Sequence, residues 1–257
     1  NEVEGQTGLS HWVEHMLFKG SAQFPKGAIM RLVNRYGGYA NAMTSNDFTA
    51  YYATLPSEHA ELALRIEADR MTNAWFDSQE VEAERSVVIA EREQSENEPR
   101  FALFESVTAA AFQAHPYRHQ TIGYKQDLER ITRDELFGHY RRFYAPNNAV
   151  LVMVGDLDMG ETKERIFRHF GAIPCGDSAP QPVIAEPPQS GERRVEVRLP
   201  GSEPMVRIVY HAPAVQHPDY IPLVILDAVL SGGKAMFAFG GALVRSARLY
   251  RALVETE

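Results

Sequence analysis

The chain has 257 residues, of which 44% are hydrophobic and 23% charged, and its formal net charge at pH 7 is −8. This length can bury one large core or two modest ones, and the negative charge argues against a nucleic-acid partner and weakly favours basic peptides. The single cysteine, Cys175, excludes an internal disulfide, and no apolar run approaches the roughly 18 residues of a membrane span.

The first predicted element is a helix over residues 8–20, which contains the sequence HWVEH. His11 and His15 are four residues apart, so a helix places both imidazoles on one face, with Glu14 beside them. Two neutral imidazoles form half of a tetrahedral zinc site, and an adjacent carboxylate can take a proton from metal-bound water. The order H-x-x-E-H is the inverzincin signature. Alone, the pattern also fits two surface histidines, so a third ligand is needed.

The next elements are a helix, a hairpin and a second helix. A helix is predicted over 26–36, ending at two glycines, and another over 57–74. Between them, residues 39–55 alternate and are rich in Ala, Thr, Tyr and Phe, which predicts two strands with a turn at 45–47.

A helix predicted over 77–99 offers the third ligand. Asp77 can cap its start and Pro99 can end it. Glu84 and Glu91 are seven residues apart and therefore share a face, and Glu91 follows a short apolar run. So acidic a stretch is more often a solvated surface, and the pairing with HWVEH is what favours Glu91 as a metal ligand.

Further helices are predicted over 101–114, 132–143 and 161–170, and a buried strand over 148–155. His115 and His119 are also four residues apart, but Pro116 between them disfavours a helix. We therefore expect these two histidines to be structural or rim residues and not metal ligands.

The composition changes after residue 173. Residues 174–192 hold five of the 15 prolines, which indicates an extended linker. Beyond it the pattern predicts strands over 193–199 and 205–211, helices over 221–230 and 249–254, and a glycine-rich loop over 231–241.

Five segments resemble the M16 family of zinc metallopeptidases, which includes pitrilysin, insulin-degrading enzyme and the mitochondrial processing peptidase. They are GLSHWVEHMLFKGS (8–21), GGYANAMTSNDFTAYYATL (37–55), VEAERSVVIAERE (81–93), HPYRHQTIG (115–123) and FYAPNNAVLVMVGDL (143–157). The resemblance is greatest to the short two-domain members, and it continues less specifically through 205–254. It implies an α+β fold, with a mostly antiparallel sheet flanked by helices in duplicated domains.

The resemblance also implies roles for particular residues. One zinc ion would be bound by His11, His15 and Glu91. Glu14 would be the general base, and Glu84 would support the metal site. The first strand of the hairpin would be a sheet edge, at which Asn41 and Ala42 meet the substrate backbone.

These roles predict a zinc-dependent endopeptidase that hydrolyses peptides or unfolded polypeptides with metal-activated water. The alternative is a non-catalytic structural core subunit of the same fold. We expect a catalytic domain over 1–173 that lacks its N-terminal strand, the linker over 174–192, and an incomplete second homologous domain over 193–257. The expected partners are a peptide substrate and a homologous second subunit, in a heterodimer or a homodimer. A bacterial periplasmic location is favoured over the cytoplasm, with the mitochondrial matrix as a further option.

Overall fold

The computed structural model describes residues 2–177, 184–200, 204–232 and 245–255. The chain divides into two compact units, Asn1–Arg207 and Ile208–Glu257. The domain limits expected from the sequence stay a prediction.

The first unit consists of helices and one β-hairpin, so the α+β class is confirmed. Within the described residues its antiparallel sheet has two strands, paired from Tyr39 opposite Thr54 to Thr44 opposite Thr49. Short 3₁₀ turns lie at Ser57–His59, Pro116–Arg118 and Pro146–Asn148. The elements are, in chain order, α1 (Leu9–Met16), α2 (Ala28–Arg35), β1 (Tyr39–Thr44), β2 (Thr49–Thr54), α3 (Ala60–Asn73), α4 (Ser78–Glu96), α5 (Pro99–Ala111), α6 (Lys125–Arg130), α7 (Arg133–Phe143) and α8 (Met159–Phe170).

Several predicted helix ends follow from local hydrogen bonding. Asp77 caps α4 and accepts hydrogen bonds from the amides of Gln79 and Glu80. The two glycines after α2 end it as expected, since the Gly38 amide bonds to the Val33 carbonyl in a Schellman arrangement. Pro99 has a different place from the one predicted: α4 stops at Glu96, and Pro99 begins α5.

The helix α1 is shorter than the predicted 8–20, and its N-cap residue has no side chain that could accept a hydrogen bond from the first turn. Gly8 occupies the N-cap position in a left-handed conformation. The Glu2 carboxylate instead accepts hydrogen bonds from the amides of Gly8 and Ser10, both at 2.7 Å. A carboxylate there satisfies free N–H groups and complements the positive end of the helix dipole.

Three predicted strands are wrong within the described residues. The segments 148–155, 193–199 and 205–211 form no β-ladder, and the supposedly buried Val150 and Val154 are 90% and 92% exposed. A strand requires hydrogen bonds to a neighbouring strand, and none of the described residues supplies one here. An apolar run by itself does not provide that neighbour.

The core of the first unit forms around α1. Its apolar face contributes Leu9, Trp12, Val13 and Met16, all buried. This face packs with buried side chains of α4, α6 and α7 and the loop between α6 and α7, which are Val81, Val88, Leu128, Ile131, Leu136 and Tyr140. By the usual measure, burying a side chain of this size contributes about 1.5–3 kcal/mol.

A polar contact fixes the start of α1 against α6. The Thr7 amide and hydroxyl both donate to the Asp127 carboxylate, and the Tyr124 amide donates to the Thr7 hydroxyl at 2.8 Å. The backbones also approach closely, because a Cβ on Gly8 would lie 2.6 Å from the Ile122 carbonyl oxygen. Only glycine fits at this position.

The second unit contains the helix α9 (Tyr220–Ser231), followed after a gap by a helical segment over Arg248–Tyr250 and Arg251–Glu255. Both helices agree with the sequence-based expectation. Residues 233–241 of the predicted glycine-rich loop lie outside the described residues. Among the residues described, no helix combines the length and apolar character needed to span a bilayer.

We predict that Gly8→Ala lowers the free energy of unfolding by about 3–5 kcal/mol. The φ angle of Gly8 is +90°, and the added methyl group would also overlap backbone atoms of Ile122. Urea unfolding of the purified chain, monitored by circular dichroism, measures the loss.

Gly37→Ala is the matched control. Gly37 has a φ of +71°, but a Cβ there meets nothing within 4 Å. This variant should lower the free energy of unfolding by only about 1–2 kcal/mol, the cost of placing alanine in the left-handed conformation. Equal losses in the two variants would show that the close approach of α1 to the Ile122 backbone has no energetic weight.

Candidate metal centre

The polar face of α1 carries the predicted motif. His11, Glu14 and His15 lie opposite the buried apolar face, and each is partly exposed. The two imidazole rings have centroids 4.7 Å apart and an interplanar angle of 71°. The spacing of four residues therefore places both rings side by side, as the helix period requires.

Helix α4 brings Glu91 to these two rings. The Glu91 Oε2 atom is 3.8 Å from His11 Nε2 and 3.6 Å from His15 Nε2. Val81 and Val88 of α4 are buried in the core that α1 also enters, which holds the two helices together. Glu91 follows His15 by 76 positions in the chain, so only the packing of the two helices brings these side chains together.

The three side chains fit a zinc ion. Their ligand atoms all lie within 4.8 Å of one another, and this is the only such group among the described residues. Zinc bonds of about 2.0–2.2 Å in a tetrahedron place donor atoms about 3.3–3.6 Å apart. The distances from Glu91 to the two histidines are close to this spacing and too long for hydrogen bonds. Two imidazoles and one carboxylate are also a ligand set that catalytic zinc sites use.

Glu84 orients His15 from the side away from Glu91. His15 Nδ1 is 2.8 Å from Glu84 Oε1, and Lys19 Nζ forms an ion pair with the other carboxylate oxygen. Burial pushes the pKa of Glu84 upward, but the hydrogen bonds from His15 and Lys19 outweigh it, so the net pKa is lowered. An ionised Glu84 can only accept, so His15 donates from Nδ1, and Nε2 is the ring nitrogen left for a metal.

Partial burial shifts the pKa values of His11 and Glu14 in opposite directions, because it disfavours the charged form of each. Burial, with a smaller contribution from His15, lowers the pKa of His11 to about 4. His11 is therefore neutral at pH 7, which is the form that binds metal. Burial raises the pKa of Glu14, against the opposing effects of Thr44 and His15. A carboxylate with a raised pKa is a better proton acceptor.

The hairpin contributes a partner to Glu14. Thr44, at the end of β1, donates a hydrogen bond from its hydroxyl to Glu14 Oε2. Its hydroxyl also lies 3.2 Å from that of Thr49 on β2.

These groups line one cleft of about 410 Å³. One wall comes from α1 and α4, another from the end of β1, and a third from α5 and the loop before α6. The lining residues are His11, Glu14, His15, Ala42, Met43, Thr44, Glu91, Ser95, Phe101, Gln120, Thr121 and Ile122.

The two predicted substrate-binding residues differ in position. Ala42 lines the cleft, whereas Asn41 is exposed and bonds to the Tyr39 hydroxyl and the Ala42 amide. Beyond β2, no strand among the described residues pairs with β1. Their contact with a substrate stays a prediction.

His115 and His119 lie outside the candidate metal centre, in agreement with the sequence-based expectation. They flank the turn Pro116–Arg118, and His115 Nδ1 accepts a hydrogen bond from the Tyr117 amide at 3.2 Å.

Two residues at the site were not singled out from the sequence. Lys19 follows His15 by four residues, a spacing that could have placed it near Glu84. Thr44 is separated from Glu14 by 30 residues, and nothing in its local pattern indicates the contact.

Similar proteins of known name include zinc proteases and processing peptidases. The zinc protease PqqE of Helicobacter pylori is 30% identical over 239 residues, covering 91% of this chain and 54% of that protein. The mitochondrial-processing peptidase subunit beta of Lentinula edodes is 29% identical over 261 residues, covering 96% of this chain and 54% of that protein. The chain thus spans about half the length of these relatives.

A solved structure shares the fold. The crystal structure of a protease from Helicobacter pylori superposes with a TM-score of 0.88 at 28% identity. The match covers 99% of this chain and 60% of that one.

Two family models match the sequence one after the other. "Insulinase (Peptidase family M16)" matches residues 1–125, which contain His11, Glu14, His15 and Glu91. "Peptidase M16 inactive domain" matches residues 130–257. With these two matches, the superposed protease and the convergence of the two histidines with Glu91, the chain belongs to the M16 peptidase family.

Proposed function

We propose that this chain is the zinc-binding part of an endopeptidase that hydrolyses peptides or unfolded polypeptides. The observation that carries the proposal is the convergence of His11, His15 and Glu91 within 4.8 Å at a cleft that Glu14 also lines. The naming of relatives as zinc proteases supports the same conclusion.

In this proposal His11, His15 and Glu91 hold one zinc ion, which supplies water activation and polarisation of the scissile carbonyl. Glu14 takes a proton at its carboxylate and returns it to the leaving amine. Glu84 keeps the proton of His15 on Nδ1, so that Nε2 faces the cleft. No side chain forms a covalent bond to the substrate.

The alternative, a non-catalytic core subunit, gives no reason for this arrangement. A structural role does not require two imidazoles and a carboxylate to converge at an open cleft, nor a carboxylate with a raised pKa beside them. The intact set of four side chains therefore favours the enzyme.

A second, homologous subunit completes the peptidase in this proposal. The cleft lining contains no Arg, Lys or Tyr among the described residues, so a cation or phenol to stabilise the developing oxyanion has to come from elsewhere. A relative carries the name of a processing-peptidase subunit, which supports assembly with another chain. The periplasmic location favoured from the sequence stays a prediction.

The roles of Glu91 and Glu14 can be separated by matched substitutions. We predict that Glu91→Gln weakens zinc binding by more than about 100-fold, since it removes an anionic ligand. Glu14→Gln should keep zinc and lower turnover by about 10²–10⁴-fold, the usual contribution of a general base. Metal analysis after dialysis and a peptide-cleavage assay measure the two effects.

Glu93→Gln is the control for both variants. Glu93 lies on the same helix but pairs with Lys125 at the surface, so zinc content and turnover should match the wild type. If Glu93→Gln lost zinc and Glu91→Gln kept it, Glu93 would be the metal ligand and Glu91 would not.

We predict that Glu84→Ala lowers zinc affinity by about 10–100-fold, because His15 loses the carboxylate that orients it. Competition with a chromogenic chelator measures the affinity. Glu84→Gln retains an acceptor for His15 Nδ1 without the charge, so its loss should be smaller. Unchanged zinc affinity in Glu84→Ala would remove Glu84 from the metal site.

We predict that the full-length protein binds zinc alone but cleaves peptides slowly until a homologous subunit without the HWVEH motif is added. Size-exclusion chromatography with light scattering defines the assembly, and a quenched fluorescent peptide reports cleavage. Fast cleavage by a demonstrated monomer would contradict the requirement for a second subunit.

A further inference from the structure

The carboxylate of Glu14 is held from the hairpin side by a single hydroxyl group. Its Oε2 atom accepts a hydrogen bond from Thr44 Oγ1. Among the described residues, no other side chain or backbone amide donates a hydrogen bond to the Glu14 carboxylate. The orientation of this carboxylate therefore depends on where Thr44 lies.

The position of Thr44 is fixed by the hairpin. Thr44 is the last residue of β1 and is paired with Thr49, the first residue of β2. The turn that follows is closed by a 2.8 Å hydrogen bond from the Ser45 amide to the Phe48 carbonyl. A residue at a closed strand end has little backbone freedom, and the contacts with Glu14 and Thr49 place its hydroxyl.

The hydroxyl groups behind Thr44 determine the direction of its hydrogen bond. Each hydroxyl has one proton to donate. Because the Thr44 proton goes to Glu14, the 3.2 Å contact between Thr44 and Thr49 requires Thr49 to donate to Thr44. Behind this pair, the hydroxyl groups of Tyr51 and Tyr144 hydrogen-bond to each other at 2.9 Å.

The donors that lead to Glu14 are therefore Thr49, which donates to Thr44, and Thr44, which donates to the carboxylate. Burial raises the pKa of both phenols, so each keeps its proton over the working pH range. The Arg70 guanidinium lies 4.6 Å from the Tyr51 ring centroid, in a cation–π contact with this phenol.

We propose that Thr44 is a positioning residue that holds Glu14 Oε2, so that Oε1 is the oxygen that accepts a proton in the cleft. This inference rests on the proposed function, in which Glu14 is the general base. The terminal torsion of a free glutamate is broad, so without Thr44 the carboxylate would sample several orientations. Proton transfer requires the single orientation in which Oε1 faces the reacting group in the cleft.

Thr44→Val tests the proposal, because valine keeps the shape of threonine and removes the hydroxyl. In the zinc-loaded full-length protein, with its partner subunit where one is required, we expect kcat for a quenched fluorescent peptide to fall about 10–100-fold. KM should change by less than about twofold, since the hydroxyl acts through Glu14 rather than on the substrate. Zinc content should equal that of the wild type.

Two further variants separate positioning from a structural effect. Thr44→Ser keeps the hydroxyl and should restore kcat to within a few-fold of the wild type. Thr54→Val makes the same change on an exposed residue at the far end of the hairpin, and it should leave kcat, KM and unfolding temperature unchanged.

Crystal structures of the wild type and Thr44→Val give a readout that does not depend on turnover. We expect one Glu14 conformer in the wild type and more than one, or a different one, in Thr44→Val. The proposal is overturned by a Thr44→Val protein with wild-type kcat and conformer, by loss of zinc in that variant, or by a Thr44→Ser protein as slow as Thr44→Val. A zinc-loaded wild type that cleaves no peptide refutes the proposed function, and the Glu14 conformers still decide the role of Thr44.

Discussion

The structure depends on the packing of α1 against α4, α6 and α7, because this two-turn helix has to serve two environments at once. Its residues Leu9, Trp12, Val13 and Met16 are buried, whereas His11, Glu14 and His15 point to the cleft. An isolated helix of eight residues is not stable in water. The burial of one face is therefore what holds the other face in place.

Several contacts keep this short helix in position at its start. Asp127 binds the Thr7 amide and hydroxyl, and the neighbouring backbones meet at Gly8. Arg92 extends the same connection, since this residue is 4% exposed and its guanidinium donates to Glu105 and to the Gly123 carbonyl. Because Arg92 follows Glu91 directly, these contacts fix the helix start and the proposed carboxylate ligand in one rigid region.

The most deeply buried carboxylate at the site, that of Glu84, is paired. An isolated carboxylate in such surroundings would be costly, but Glu84 has two cationic or N–H partners in Lys19 and His15. His11 is neutral, so its burial needs no counter-charge. The site therefore presents its lone pairs without a large rearrangement, which is the condition for tight metal binding by a preformed site. The Nδ1 atom of His11 has no protein partner among the described residues.

The sequence by itself determined what depends on local spacing. The four-residue interval between the histidines, the seven-residue interval from Glu84 to Glu91 and the Asp77 cap all follow from the period and ends of a helix. Only the tertiary structure brought Glu91 to the histidines and Thr44 to Glu14, because these contacts join segments far apart in the chain. The missing strands have the same explanation: a helix makes its hydrogen bonds within its own segment, whereas a strand needs a partner that its sequence does not specify.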